Sequence, residues 1–120
     1  MLIAFALLYA LPQSARAAEA APAAEAGKRH FTKCMACHSL ESGVHMTGPS
    51  LARLSGRKAG SAQGFVYSPA MQQSDVVWTR ESLSAYLDNP ATYIPGNLMP
   101  FGGLHNREQR EALVDYLLGN

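Results

Sequence analysis

The sequence predicts an all-α domain, built from short helices and long loops. Two stretches in the C-terminal half, 79–89 and 106–118, repeat apolar residues at helical spacing and begin with residues that cap helices. No stretch alternates apolar and polar residues as a half-buried strand does. A Cys-x-x-Cys-His motif at 34–38 precedes both helices, and the 120 residues form one domain without internal repeats.

The chain begins with an apolar segment typical of an export signal. Residues 1–11 carry no charged side chain, and Ala15-Arg16-Ala17 fits an A-x-A cleavage site, although the segment lacks the usual Lys or Arg. We expect residues 1–17 to be a secretory signal peptide, cleaved after about Ala17, which would place the mature protein in the periplasm. The alternative is an uncleaved membrane anchor, but eleven apolar residues fall short of the roughly 20 that a spanning helix needs.

Residues 18–26 form an Ala/Pro-rich linker. Its Ala, Glu and Pro residues offer no large side chain to bury, so the sequence predicts an irregular leader. The folded domain is expected to span residues 27–120 and to begin with a helix from Gly27 to about Leu40. Gly27 would allow another backbone to approach this helix closely.

The five residues Cys34-Met35-Ala36-Cys37-His38 fit the pattern for covalent attachment of a haem. Two thiols about one helical turn apart can reach the same flat ligand, and the histidine that follows would lie under the iron. Two other uses of the cysteines are weaker. A thioredoxin-type disulfide expects a βαβ context. A closed zinc site needs four Cys or His ligands, whereas the chain has two cysteines and no histidines at paired spacing.

The loop from Gly43 to Leu51 contains a candidate partner for His38. Pro49 has a backbone carbonyl but no N–H, and a metal-bound histidine generally donates its second ring N–H to such an acceptor. His45 lies in the same loop. We expect it to bridge the backbones of neighbouring loops rather than to bind metal.

A second, glycine-rich loop runs from Gly56 to Tyr67. Loops of this length are unusual in compact domains unless they wrap something, and a buried cofactor would explain this one. Arg57, Tyr67 and Trp78 could donate hydrogen bonds to the anionic haem propionates. Tyr67 and Trp78 could equally be plain core aromatics, and their spacing alone leaves both possibilities open.

Two capped helices are predicted in the C-terminal half. Thr79 caps the first, which runs to Asn89, and Asn106 caps the second, which ends at about Leu118. Their apolar faces are formed by Leu83, Tyr86 and Leu87 in the first and by Leu113, Tyr116 and Leu117 in the second. The second face should pack on the 27–31 face of the first helix of the domain.

The loop at 93–103 is apolar despite two prolines and three glycines. Those residues exclude regular structure, yet its isoleucine, leucine, methionine and phenylalanine are poor choices for an exposed loop. The loop should therefore lie against a surface that it does not build itself, such as a haem face. The thioether of Met99 could bind the iron opposite His38, and Met71 is its main competitor.

Several linked motifs resemble one known family. They are CMACH at 34–38, TGPSL at 47–51, GRKAG at 56–60, Gly64-Phe65 with Tyr67, Trp78, Tyr86-Leu87 with Asn89-Pro90, and YIPGNLMPF at 93–101. Together they resemble the class I cytochromes c, near the mitochondrial and bacterial photosynthetic branch, over residues 27–118. The resemblance implies the class I cytochrome c fold: short helices and loops wrapped around one covalently bound haem c, with the terminal helices crossing.

The resemblance also implies a set of cofactor-binding residues. They are Cys34, Cys37, His38, Pro49, Arg57, Tyr67, Trp78, Tyr86, Asn97 and Met99. Of these, the two cysteines would hold haem c, and His38 and Met99 would be the axial metal ligands. Tyr86 would donate a hydrogen bond to the Met99 sulfur, and Arg57 would belong to the group around the propionates. Asn97 stands where the family usually has threonine, and it keeps a hydrogen-bond donor.

The implied function is that of a soluble electron carrier rather than an enzyme. An iron held by two protein ligands has no open position for a substrate. Single electrons would pass between respiratory or photosynthetic redox proteins, membrane complexes among them, and the carrier would be a monomer. A net charge of +1 gives no reason to expect a nucleic-acid partner. The alternative is a haem enzyme with a labile Met ligand, peroxidase-like or gas-binding.

The family's basic ring around the exposed haem edge is mostly missing. Lys33 remains, but Ala91, Thr92, Leu98 and His105 occupy positions often held by lysine. Long-range steering of acidic partners should therefore be weak, and rates of electron transfer should depend only slightly on ionic strength.

Overall fold

The computed structural model describes residues 13–120 and has an all-α architecture, as the sequence predicts. Its helices are α1 (Gln13–Phe31), α2 (Pro69–Gln73), α3 (Arg80–Asp88), α4 (Pro90–Tyr93) and α5 (Arg107–Leu118). The β-structure within these residues is one isolated bridge between Lys58 and Val77. The first twelve residues of the predicted signal peptide lie outside the described residues. No helix within 13–120 combines the length and the apolar character needed to cross a membrane.

Helices α1 and α5 cross at Gly27, which confirms the predicted packing of the terminal helices. A Cβ atom on Gly27 would lie 2.5 Å from the Cβ of Tyr116 and would also overlap the carbonyl of Ala112. One turn further along α1, the rings of Phe31 and Tyr116 meet with their centroids 5.6 Å apart. Glycine is thus required at this crossing because the α5 backbone occupies the space of its side chain.

The bounds of α1 differ from the predicted ones at both ends. The helix includes residues 18–26, so the prediction of an irregular leader is wrong; alanine and glutamate are strong helix formers and their propensity prevails. The helix also ends at Phe31 rather than near Leu40. Beyond it the backbone tightens into i to i+3 bonds, with the N–H of Cys34 donating to the carbonyl of Phe31 at 2.8 Å.

Helices α3 and α5 confirm the predicted caps. The Thr79 hydroxyl accepts from the N–H of Ser82, whose own hydroxyl accepts from the N–H of Thr79, so the two residues form a capping box. The Asn106 side chain accepts from the N–H of Gln109 at 3.0 Å. Helices α2 and α4 were not predicted. Each is five residues or fewer and starts with a proline, which suits the first helical position.

The core lies between α1, α3 and α5 and extends to the loops. It is formed by Phe31, Leu54, Ala59, Trp78, Leu83, Tyr86, Leu87, Ile94, Leu104, Leu113, Val114 and Leu117. Leu113 and Leu117 of the predicted α5 stripe are among them, whereas Tyr116 is half-buried. The loops and α3 leave space between them, and this space holds the candidate site.

Candidate functional site

A cavity of about 320 Å³ opens between the 32–68 loops, α3 and the 93–103 loop. Nine of the ten predicted cofactor-binding residues line it, and they come from segments far apart in sequence. They are Cys34, Cys37, His38, Pro49, Arg57, Tyr67, Trp78, Tyr86 and Met99. Asn97 is the exception. Much of the remaining lining is apolar, including Leu54, Leu83, Leu87 and Phe101.

The two thiols reach the cavity from a turn rather than a helix. The N–H of Cys37 donates to the carbonyl of Cys34 at 3.1 Å, and the N–H of His38 donates to the same carbonyl at 2.9 Å. The turn keeps all three side chains on one wall, as a helix would. Both cysteines are free, and burial raises the pKa of the Cys34 thiol, with Lys33 opposing that shift.

His38 is held by the carbonyl that the sequence analysis singled out. Its Nδ1 lies 2.7 Å from the Pro49 oxygen. Because a carbonyl can only accept, Nδ1 carries the proton and donates, which leaves the lone pair of Nε2 available to a metal. Burial lowers the pKa of the imidazole, and the bond to Pro49 opposes that shift only partly, so the ring is neutral at pH 7.

Gly48 is a site residue that the sequence analysis missed. A Cβ at this position would lie 2.7 Å from Nδ1 and 2.9 Å from Nε2 of His38, so the glycine backbone packs directly on the ring. Its N–H donates to the carbonyl of Cys37 at 2.7 Å, which ties the loop to the cysteine turn. The Gly-Pro pair therefore fixes the imidazole from two directions.

Met99 enters the cavity from a loop that Asn97 braces. The Asn97 amide donates to the carbonyls of Pro90 and Ile94 at 2.8 and 2.9 Å, and its oxygen accepts from the N–H of Met99 at 3.0 Å. Asn97 therefore does not line the cavity but fixes the backbone of the loop that carries Met99. The Tyr86 hydroxyl lies 3.8 Å from the Met99 sulfur, and burial raises the pKa of Tyr86 to about 12, so this hydroxyl keeps its proton.

The remaining predicted residues line the cavity and also stabilise the surrounding structure. The Arg57 guanidinium donates to the carbonyls of Ser50 and Ala52 at 2.8 and 3.0 Å. The Tyr67 hydroxyl accepts from the N–H of Ala62 at 3.2 Å. Trp78 is buried and its ring centroid lies 5.0 Å from that of Tyr86, so it is at least a core aromatic.

His45 bridges two loop backbones, as predicted. Its Nδ1 accepts from the N–H of Ser50 at 3.0 Å, which requires the ring proton on Nε2, and Nε2 donates to the carbonyl of Gln63 at 2.8 Å. Both ring nitrogens are therefore occupied by backbone groups. Among residues 13–120, no three side chains of His, Cys, Asp or Glu come together in a way that could hold a metal.

The donor groups at the cavity suit a haem. Two free thiols lie on one wall beside an imidazole with an available Nε2, a thioether approaches from a separate loop, and much of the lining is apolar. Sulfur and imidazole donors are those that haem iron takes in six-coordinate proteins. The cation of Arg57 and the hydroxyl of Tyr67 line the same cavity and suit the anionic edge of such a group.

Comparisons with known proteins agree with this chemistry. The family model described as Cytochrome c matches residues 24–120. Cytochrome c2 iso-2 of Magnetospirillum molischianum is 47% identical over 87 residues, covering 72% of this chain and 90% of that protein. Cytochrome c type-1 of Ascaris suum is 46% identical over 94 residues, covering 78% and 84% of the two chains.

A solved structure extends the likeness to the fold. Cytochrome cH from Methylobacterium extorquens superposes with a TM-score of 0.76 at 33% sequence identity. The match covers 81% of this chain and 98% of that one.

Proposed function

The chain belongs to the cytochrome c family, and from that premise we propose that it is a periplasmic electron carrier with His38 and Met99 as axial ligands. It is an electron-transfer protein with one covalent haem c, for which its two cysteines are spaced as the family requires. When bound, the haem supplies an iron that exchanges one electron between its ferric and ferrous forms. The observation that carries the ligand assignment is that an oriented imidazole and a braced thioether line the same apolar cavity.

Cys34 and Cys37 are the proposed attachment points. The turn that joins them keeps both thiols on one wall of the cavity, next to His38. Covalent attachment of this kind explains how a short chain retains a large apolar group whose cavity is open to solvent on one side. The rest of the wall, including Leu54, Leu83 and Leu87, excludes water from the faces of the group.

The chain holds each axial donor through a second residue. The Pro49 carbonyl fixes the tautomer and orientation of His38, which leaves the lone pair of Nε2 free to bind a metal. Asn97 fixes the backbone of Met99, and Tyr86 donates to its sulfur. Ligand side chains held in this way move little when the charge on a metal changes. A small structural reorganisation makes electron transfer fast, as an electron carrier requires.

The same arrangement separates a carrier from an enzyme. A peroxidase-like or gas-binding protein needs one open position at the metal, and here a protein side chain is proposed for each side. We further propose that residues 1–17 direct export, that 27–120 are the folded unit, and that the protein acts as a monomer between redox proteins, including membrane complexes. The uncharged, apolar residues 1–11 and the A-x-A pattern at 15–17 support the export proposal.

The test is spectroscopic. The purified holoprotein should keep its colour after acid–acetone extraction, because the haem is bound through sulfur. Its ferric form should show the thioether-to-iron charge-transfer band and should bind cyanide slowly. Met99→Ala should abolish that band and speed cyanide binding. Met46→Ala is the matched control, since Met46 is 47% exposed and does not line the cavity. Rapid cyanide binding by the unaltered protein would favour the enzyme.

A further inference from the structure

Exposed apolar side chains surround the opening of the cavity. A partner with an acidic contact face would need positively charged side chains at this place. Val66 and Leu98 both line the cavity, yet their side chains are 90% and 79% exposed. Met35 and Met46 do not line the cavity, but they are also exposed, at 55% and 47%, and each adjoins a lining residue in sequence. We call these four residues the apolar rim. Monomeric proteins rarely group exposed apolar side chains around one opening unless something covers them.

Val66 and Leu98 line the cavity, and Met35 and Met46 lie beside residues that do. Leu98 directly precedes Met99, and Met35 lies between the two cysteines. The N–H of Met46 donates to the carbonyl of Gly48 at 2.9 Å, and Gly48 in turn packs on His38. The rim is therefore attached to both walls of the proposed haem site, the thioether side and the cysteine side.

Charge at the mouth is sparse and partly neutralised. The charged residues that line the cavity are Lys33, Arg57 and Lys58. The Lys58 ammonium lies 3.6 Å from the Asp75 carboxylate, and the half-buried Arg57 points two donors at loop carbonyls. Within residues 13–120, Lys33 is the one exposed lining cation that makes no ion pair. The lining therefore attracts an acidic face only weakly.

We propose that the apolar rim is the docking surface for a redox protein whose own contact face is apolar and uncharged. Burial of Leu98 and Val66 removes apolar surface from water, and this gain does not depend on salt. An acidic partner would lose the hydration of its carboxylates and would find few lining cations to replace it. The inference rests on the proposed electron-carrier function and adds the chemistry of the partner's surface.

Gold electrodes coated with alkanethiol monolayers can stand in for the two kinds of partner face. A methyl-terminated film represents an apolar face and a carboxylate-terminated film an acidic one. The holoprotein should transfer electrons on the methyl film at a rate that changes little from about 0.01 M to about 0.15 M salt, over which the Debye length falls from about 30 to about 8 Å. Preference for the carboxylate film, with a steep loss in salt, would overturn the proposal.

Lysine substitutions test the location. Leu98→Lys and, independently, Val66→Lys should each weaken adsorption on the methyl film by about tenfold and strengthen it on the carboxylate film at low salt. Val77→Lys is the matched control, because Val77 is 45% exposed and lies outside the cavity lining. Equal effects from all three variants would show general adsorption and would reject the rim as the surface.

Two other occupants give different results. A dimer in sedimentation that Leu98→Lys dissociates would assign the rim to a second copy of the chain. Binding to neutral phosphatidylcholine vesicles that Leu98→Lys abolishes would assign it to a membrane. Either result overturns the proposal. A protein that stays monomeric and does not bind such vesicles supports it.

A mediated redox titration in solution distinguishes failure of the proposed function from failure of the docking proposal. If the protein does not cycle reversibly between its oxidised and reduced forms, the electron-carrier function is rejected. If it cycles reversibly but prefers the carboxylate film, only the docking proposal is rejected.

Discussion

The hydroxyl of Tyr86 lies 3.8 Å from the Sδ of Met99, with Tyr86 itself buried and its pKa raised to about 12. A hydroxyl that cannot ionise near neutral pH is a permanent donor to the sulfur. Such a donor withdraws electron density from the thioether, and a poorer donor to iron stabilises the ferrous form relative to the ferric form. The pair should therefore help to set the reduction potential.

We predict that Tyr86→Phe lowers the reduction potential. The lost bond to sulfur is weak, about 0.5–1 kcal/mol, so for a one-electron couple the decrease is at most roughly 20–40 mV, reached if only the ferrous form feels the bond. Protein-film voltammetry measures the change. Tyr93→Phe is the control, since the ring of Tyr93 packs 6.3 Å from that of Tyr86 but its hydroxyl makes no bond to Met99. An unchanged or raised potential in Tyr86→Phe would contradict the role given to this hydroxyl.

Gly48 should tolerate no side chain. In Gly48→Ala the new methyl group would meet the His38 ring at 2.7–2.9 Å, so the ring or the loop must shift and the bond to Pro49 must weaken. We expect a loss of about 1–3 kcal/mol in the free energy of unfolding, the usual cost of overpacking, measured by denaturant titration. Gly102→Ala is the control, because a Cβ there would have no atom within 4 Å. Equal stability of the two variants would remove the argument for close packing on the imidazole.

The role of Thr79 could be predicted from the sequence, whereas the role of Gly48 could not. The caps at Thr79 and Asn106 depend on atoms three residues away, so local pattern predicts them well. The contact between Gly48 and His38 spans ten residues and arises only when the loop closes; the TGPSL motif contains this glycine but does not reveal what it touches. The two short helices were missed because four or five residues are too few to establish a helical period.

The site itself was predicted mainly through resemblance. Spacing around Cys34 indicated haem and led to His38, and the apolar loop indicated Met99 over Met71. That all these residues line one cavity is a tertiary fact which no single segment encodes. Composition failed at the N-terminus, where absence of large side chains was taken to mean irregular backbone although alanine favours helix.

Gly27→Ala tests the crossing of α1 and α5. In an exposed helix this change is stabilising by up to about 1 kcal/mol, because alanine has the higher helix propensity. Here the added Cβ would overlap Ala112 and the Cβ of Tyr116 at 2.5 Å, so we expect a net loss of roughly 1–2 kcal/mol, seen as a lower Tm. Gly27→Val should cost more. A stabilised Gly27→Ala variant would show that the two helices separate without penalty.

Asn97→Ala should loosen the methionine loop without unfolding the protein. The substitution removes three hydrogen bonds, to Pro90, Ile94 and Met99, and leaves the carbonyl acceptors able to bind water in a half-buried position. If about 1.4 kcal/mol of loop stability is lost, the form with Met99 displaced becomes about tenfold more populated, and the rate of cyanide binding to the ferric protein should rise by the same factor.

Two variants are controls for this prediction. Asn97→Thr keeps a hydrogen-bond donor and an acceptor and should show a smaller increase in the cyanide rate. Asn120→Ala, just beyond the C-terminal end of α5, should leave the rate unchanged because its side chain donates to the Tyr116 carbonyl and not to the methionine loop. Equal cyanide rates in Asn97→Ala and the unaltered protein would mean that something other than this amide keeps Met99 in place.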